Sequence, residues 1–411
     1  MSANYNNGLV RELFMAKLIL TKSEQAMFDG EHGEAVQQSM EILVALGKIY
    51  GAKKMIPVTC AQIAGVSYKT IGDAGLEYLQ DLVAKGARVR IPSFLNPAGM
   101  DREQWKEMKI PADFARKQIA ILDAFKKMGV SETCTCAPYA IGIRPKRGEH
   151  IAWAESSAIA FSNSVLGART NREGGPSALA AAICGVTPYY GLHLDKFRVA
   201  SFVVDVSCEL KTMADFGTLG SAIGKIAKNK HPAFRGIKHA SEPQLKVLGA
   251  SMAATGSVPL FFVENITPEW KISDSPEKIT FTKSDLERER KTIDTGLRPD
   301  LVTIGCPHAS IEEIRDVAEL VTNKKPKQKP TCEFWVCTSR QLKTEATKLG
   351  YTKQIEAAGG LIVADTCMVV CPLEEMGYVV TGTNSGKAAA YLPNLCKQKV
   401  AFGDLEDILY R

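Results

Sequence analysis

The stretch that most limits how this chain can fold lies near its C-terminus. Leu361-Ile362-Val363-Ala364 is a short apolar run, and Asp365-Thr366-Cys367-Met368-Val369-Val370-Cys371-Pro372 follows it with no spacer. A buried strand that runs straight into a turn carrying thiols is the way a parallel α/β sheet presents chemistry at its edge. The same device recurs where Leu301-Val302-Thr303-Ile304 enters Gly305-Cys306-Pro307-His308, ahead of a predicted helix over 311–322. Cys136, in Thr135-Cys136-Ala137-Pro138-Tyr139, sits in similar punctuation. Three thiolates from distant loops can hold an iron–sulfur cluster and leave one iron without a protein ligand.

Composition sets the frame for that reading. A chain of 411 residues suits two or three domains. The predicted borders are an N-terminal α/β lobe over 1–198, a middle lobe over 199–280 and a C-terminal α/β lobe over 281–411. Charged residues make up 23% and hydrophobic residues 45%, which excludes disorder and fibres. The net charge of +6 is mild, and the densest basic patch, Lys324 to Lys329, has no interleaved aromatics, so no nucleic-acid partner is expected. A small anionic substrate fits the positive excess. Met1 to Met15 has no long apolar core, and no run reaches the roughly 18 apolar residues of a membrane span. A cytoplasmic location is therefore expected, with the eleven cysteines reduced. Cys332 and Cys337, or Cys367 and Cys371, do not have Cys-x-x-Cys spacing, which speaks against structural zinc.

Along the chain, Thr21 to Tyr50 reads as two helices and Ile56 to Cys60 as a strand. Ala61 to Gly72 is a loop of small and hydroxyl residues ahead of a helix over 73–85, able to bring N–H groups and Ser67 to an anion. A strand over 87–92 leads to Asn96-Pro97, and helices are predicted over 102–109 and 112–128. Of the close pair Cys134 and Cys136, the second is the ligand candidate and the first a buried bystander. Ile151 to Asn163 reads as a small-residue helix with Glu155 in its middle, where burial would raise the carboxyl pKa and suit it to proton handling. Arg169 and Arg172 share a Gly-rich loop, and guanidinium groups of that kind bind carboxylate or phosphate.

Farther on, Gly217, Gly220 and Gly224 follow no strand in dinucleotide spacing, which excludes a nucleotide there. Ser284 to Glu287 has capping-box spacing, and a helix is predicted over 341–358. Gly386-Lys387 fails as a phosphate loop because Ala388 stands where Ser or Thr is needed. Asn384 and Ser385 still open a helix and can seat an anion.

Seven segments taken together carry a resemblance. They are Ala64 to Gly75, Pro92 to Asp101, Thr135 to Tyr139, Ala154 to Ala158, Gly305 to His308, Asp365 to Cys367 and Asn384 to Lys387. In order and spacing the chain resembles the aconitase X family, and within it the archaeal two-subunit branch. The resemblance implies a multi-lobed α/β core of mixed and parallel sheets flanked by helices, with the swivelling domain supplied by a separate small subunit. It implies a [4Fe–4S] cluster on Cys136, Cys306 and Cys367, and a pocket lined by Gly65, Val66, Ser67, Asn96, Pro97, Glu155 and Ser385. Glu155 and Ser385 are the expected catalytic side chains, with the proton acceptor on the partner.

The activity implied is that of a hydro-lyase dehydrating (R)-5-phosphomevalonate to trans-anhydromevalonate 5-phosphate, in an archaeal-type mevalonate route to isoprenoids. Arg169 would bind an anionic end of the substrate, with Lys69 and Lys387 as further candidates for the phosphate. Two alternatives are dehydration of cis-3-hydroxy-L-proline and a non-catalytic iron–sulfur sensor that binds RNA. The scattered charges argue against the sensor.

Overall fold

A computed structural model describes residues 18–323 and 330–411. The N-terminal stretch Met1 to Met15 and the basic patch Lys324 to Lys329 lie outside the described residues. Among those described, no helix is long and apolar enough to cross a membrane.

The first region opens with α1 (Lys22–Phe28), started by a capping box between Thr21 and Glu24, and the amphipathic α2 (Glu34–Ile49). After β1 (Met55–Pro57) and β2 (Ala61–Ile63) come α3 (Tyr68–Ala84), β3 (Ser93–Leu95), α4 (Ala112–Lys127) and β4 (Ala152–Trp153). The short α5 (Ser156–Phe161), α6 (Gly175–Cys184) and β5 (Val186–Pro188) complete it. Strands β3, β2 and β4 form a parallel sheet in that order, and β1 pairs antiparallel with β5. Leu79, Leu95, Ile121, Phe125 and Leu179 fill the core beneath the sheet.

The second region is βαβαβ in pattern: β6 (Ala200–Val206), α7 (Met213–Ala227), β7 (Pro232–Arg235), α8 (Glu242–Gly256), β8 (Phe262–Val263), then β9 (Ile272–Phe281). Its parallel sheet has the order β8-β7-β6-β9. The glycines that failed as a nucleotide loop have a packing role. A Cβ on Gly220 would stand 2.5 Å from Leu248 O, so its absence lets α7 lie backbone to backbone against α8.

In the third region α9 (Lys283–Ile293) precedes β10 (Leu301–Ile304), α10 (Ile311–Asn323), β11 (Glu333–Thr338), α11 (Arg340–Lys348), α12 (Tyr351–Ala357) and β12 (Gly360–Ala364). Strand β13 (Val380–Thr383), α13 (Gly386–Cys396), β14 (Lys399–Phe402) and α14 (Leu405–Tyr410) follow. The sheet is parallel throughout, in the order β12-β11-β10-β13-β14. Val302, Ile304, Phe334, Val336 and Ile362 are fully or almost fully buried, as a parallel sheet covered by helices on both faces requires.

Several local expectations are corrected. The helix predicted over 151–163 is instead the strand β4 followed by Glu155 as the N-cap of α5, because Ala152 and Trp153 pair with Ala61 and Gln62. The strand predicted over 87–92 does not form. Val89 and Arg90 donate to Met128 O and Ala182 O on different elements, and the strand begins only at Ser93. Arg102 to Lys109 is a run of turns, although the Asp101 carboxylate accepts from the N–H groups of Glu103 and Gln104 as a helix cap would. The predicted helix over 73–85 starts earlier, at Tyr68, with Ser67 as cap and a kink at Gly72. The capping box before α9 joins Thr282 to Asp285 rather than Ser284 to Glu287, and the helix over 341–358 breaks at Gly350.

Candidate active site

Two parallel sheets turn their carboxyl edges toward each other, and the site lies between them. From the first region come the loops after β2 (Ala64 to Ser67), β3 (Asn96-Pro97) and β4 (Ala154-Glu155), with the segment Cys134 to Ala137 alongside. From the third come the loops after β10 (Gly305 to His308), β12 (Asp365 to Cys371) and β13 (Asn384-Ser385).

The three cysteines meet in one buried locus. Cys306 and Cys367 lie within hydrogen-bonding reach of each other, a contact that raises the pKa of Cys306 and lowers that of Cys367. Burial pushes Cys136 up to about 12, against the pull of the Lys387 ammonium. Lys387 favours the thiolate form of all three. Gly305, at φ +96°, makes the approach possible: a Cβ there would lie 2.1 Å from Cys337 O. Cys134 is fully buried, with burial as the main cause of its raised pKa.

Beside the thiols, Glu155 forms an ion pair with Lys387, accepts from Asn96 Nδ2 at 2.8 Å, and binds the N–H of Ser157 as the cap of α5. Burial alone would raise the Glu155 carboxyl, as the sequence suggested. Lys387, Asn96 and Ser157 outweigh that, and the pKa is lowered. Lys387 is 5% exposed; burial lowers its pKa, but the Glu155 carboxylate foremost, with the neighbouring thiols Cys306 and Cys136, more than offsets that and raises it. Charge is thus kept on both partners.

Ser67 Oγ donates to Val370 O at 2.8 Å and accepts from Lys69 N, fastening the loop after β2 to the loop after β12. Lys69 is bound to Glu374 and Cys371 O, and Val66 is buried. Gly65 has φ +76°. Beyond Pro97, the Ala98 N–H donates to Asp365 O at 2.8 Å. Ser385 caps α13 and donates to Cys306 O. Arg169 is not brought here: its guanidinium is taken up by Glu269, Asp195 and Gly167 O, and none of those is a site residue.

Other residues that position the loops carried no assignment in the sequence reading. Gln118 Oε1 accepts from Tyr68 N and Gly99 N, each at 2.9 Å, and its Nε2 donates to Val66 O at 2.9 Å, locking the loops after β2 and β3 together. A glutamine on the buried stripe of α4 was the available signal. Arg340 bridges the buried carboxylates of Asp101 and Asp365 at 2.5 Å each, and Arg102 adds a bond to Asp365 at 2.9 Å. That network holds Asp365 at φ +66°, an uncommon conformation for a non-glycine residue, immediately before the Cys367 turn.

Several buried polar atoms at this locus have no protein partner. Asn96 Oδ1, Thr366 Oγ1 and Tyr139 OH are among them, and Gln62 Oε1 is another, on a side chain whose Nε2 binds Thr135 O. Each such group costs about 1–3 kcal/mol unless something else satisfies it, so each is available to a ligand. Among the described residues no three His, Cys, Asp or Glu side chains are placed to share a single metal ion.

Comparison with known proteins agrees with this geometry. The family models described as the first, second and third domains of aconitase X match residues 17–196, 200–291 and 299–411. A phosphomevalonate dehydratase large subunit from Methanothermobacter thermautotrophicus is 52% identical, over 96% of this chain and 99% of the relative. The protein of the same name from Methanocaldococcus jannaschii is 49% identical, over 95% and 99%. A cis-3-hydroxy-L-proline dehydratase from Pseudomonas aeruginosa is 34% identical, over 93% of this chain and 68% of its own length. The crystal structure of Thermococcus kodakaraensis aconitase X in its holo-form superposes with a TM-score of 0.90 at 46% identity, covering 96% of this chain and all of that one. With all three family domains matched in order across the same loops that build the site, the chain belongs to the aconitase X family.

Proposed function

We infer that this chain is the large, cluster-bearing subunit of a hydro-lyase that dehydrates (R)-5-phosphomevalonate to trans-anhydromevalonate 5-phosphate. The observation that carries the reading is the meeting of Cys136, Cys306 and Cys367 beside the buried Glu155–Lys387 pair, in a chain about half identical to proteins named for that activity. Three cysteines brought together from separate loops suit a [4Fe–4S] cluster, whose cysteines bind different irons. When bound, the cluster supplies a Lewis acid for the departing hydroxide.

The chain's own residues bind and orient. Lys387 stays protonated and steadies the thiolates. Glu155, kept ionised by Lys387, holds the Asn96 amide through Nδ2 and leaves its carbonyl oxygen for a substrate hydroxyl. The turn Gly65-Val66-Ser67, at the N-terminus of α3 with Lys69 in its first turn, seats an anionic end. Ser385 fixes the Cys306 loop to α13 and serves the reaction from there. The proton acceptor comes from a small swivelling subunit, in keeping with relatives named as large subunits. All eleven cysteines are unpaired, as suits a reducing cytoplasm, and the activity places the chain in an archaeal-type mevalonate route to isoprenoids.

The test is turnover by the anaerobically reconstituted two-chain complex offered 5-phosphomevalonate and cis-3-hydroxy-L-proline separately. Activity on the phosphate ester supports the reading, and activity on hydroxyproline alone overturns it.

A further inference from the structure

His308 stands at the centre of the three cysteine loops, and its bonds can be assigned direction. Its backbone N–H donates to Cys136 Sγ at 3.2 Å. Its ring Nε2 lies 3.0 Å from Thr366 O, and its ring Nδ1 lies 3.1 Å from Thr135 Oγ1. Thr366 O can only accept, so Nε2 carries the ring proton. Thr135 Oγ1 accepts from Ala137 N at 3.1 Å, and its own proton is then directed at Nδ1.

One chain of bonds therefore runs Ala137 N–H to Thr135 O–H to His308 Nδ1, and from His308 Nε2–H to Thr366 O. The residues it joins flank Cys136, follow Cys306 by two positions, and precede Cys367. His308, Thr135 and Thr366 are all at most 1% exposed, so the bonds form out of competition with water. From behind, the buried Lys246 donates to Pro307 O at 3.4 Å and His308 O at 3.0 Å, holding the histidine's own turn against α8.

We propose that His308, working with Thr135, is a positioning residue that sets the mutual placement of the three cysteine loops and so governs how firmly the site retains its metal. The idea rests on the cluster reading above. It assigns the imidazole no contact with substrate and no proton transfer. Groups that orient metal ligands in this manner typically change metal retention by about 10-fold to 100-fold when removed.

The experiment compares wild type with T135V, T135S, H308Q and H308N as full chains. T135V deletes one hydroxyl at constant shape, and T135S restores it. H308Q keeps a donor toward Thr366 O, and H308N keeps an acceptor toward Thr135. Two readouts are taken: the rate at which a chelator strips iron from the anaerobically reconstituted protein, and the alkylation rates of Cys136 and Cys367 relative to the buried Cys337 in metal-free protein.

The expected result is iron loss about 10-fold faster in T135V, near wild-type behaviour in T135S, and faster alkylation of Cys136 and Cys367 relative to Cys337 in T135V. H308Q and H308N should each fall between T135S and T135V. Wild-type iron retention in T135V, or iron loss that only follows a lowered melting temperature of the metal-free chain, overturns the proposal. Should the His308 variants not fold, T135V against T135S decides it. If wild type itself takes up no iron, the cluster reading fails separately, and the alkylation ratio alone decides for or against the loop placement.

Discussion

Lys387 and Glu155, 232 positions apart in sequence, form one buried ion pair that joins α13 of the third region to the cap of α5 in the first. Neither charge has bulk water to fall back on, so each depends on the other.

Removing one member strands its partner. K387M or E155Q alone should lower unfolding stability by about 3–5 kcal/mol, the usual cost of an uncompensated buried charge. The double substitution should regain most of that stability, because two neutral groups of similar volume have no desolvation to offset. Turnover should stay absent in all three. Chemical denaturation alongside the dehydratase assay checks the pattern.

Cys136→Ser, Cys306→Ser and Cys367→Ser should each abolish most of the iron bound after anaerobic reconstitution. Cys134→Ser, two residues from the first of these and fully buried, should keep its iron. Visible absorbance and iron analysis distinguish the two outcomes.

Q118L removes a side chain that satisfies Val66 O, Tyr68 N and Gly99 N at once. At about 1–3 kcal/mol for each buried group left unpaired, the loss should be about 3 kcal/mol or more. Because these groups set the loops after β2 and β3, KM should rise more than kcat falls. Steady-state kinetics with the partner subunit reads the split.

His193 gives a pH dependence with a definite sign. Burial first, then His150, Arg198 and Arg169, push its pKa from 6.5 down to about 3. Above pH 6.5 the ring is neutral in folded and unfolded chains alike, and stability is fully present. As pH falls below 6.5 the unfolded chain takes up a proton that the folded chain refuses until about 3, so stability drops across that window. H193L should flatten the decline between pH 6 and 4 by about 1.4 kcal/mol per pH unit, one proton's worth. Denaturation midpoints across that range measure it.

What was legible in the sequence was whatever a short window contains. The strand, turn and thiol at Cys306 and at Cys367 could be read because all three signals are contiguous. Glu155 was misplaced within a helix because the short strand before it exists only by pairing with Ala61 and Gln62. Its charge state was misjudged for a similar reason, since burial is visible in neighbouring small residues whereas Lys387 is far along the chain. Arg169 looked available because Glu269, which binds it, lies 100 positions on. Arg102 to Lys109 forms turns where a helix was expected, and the structure gives no local reason for it.

The fastening of Ser67 to Val370 spans 303 positions. Partners so far apart set an order of events during synthesis. A nascent chain that has emerged only through its second region holds Cys136 and Glu155 with no counterpart to meet them, however well its early helices have formed. Competence for loading is therefore a property of the finished polypeptide, and a truncated or stalled product is left with unguarded thiols instead of a partly working centre.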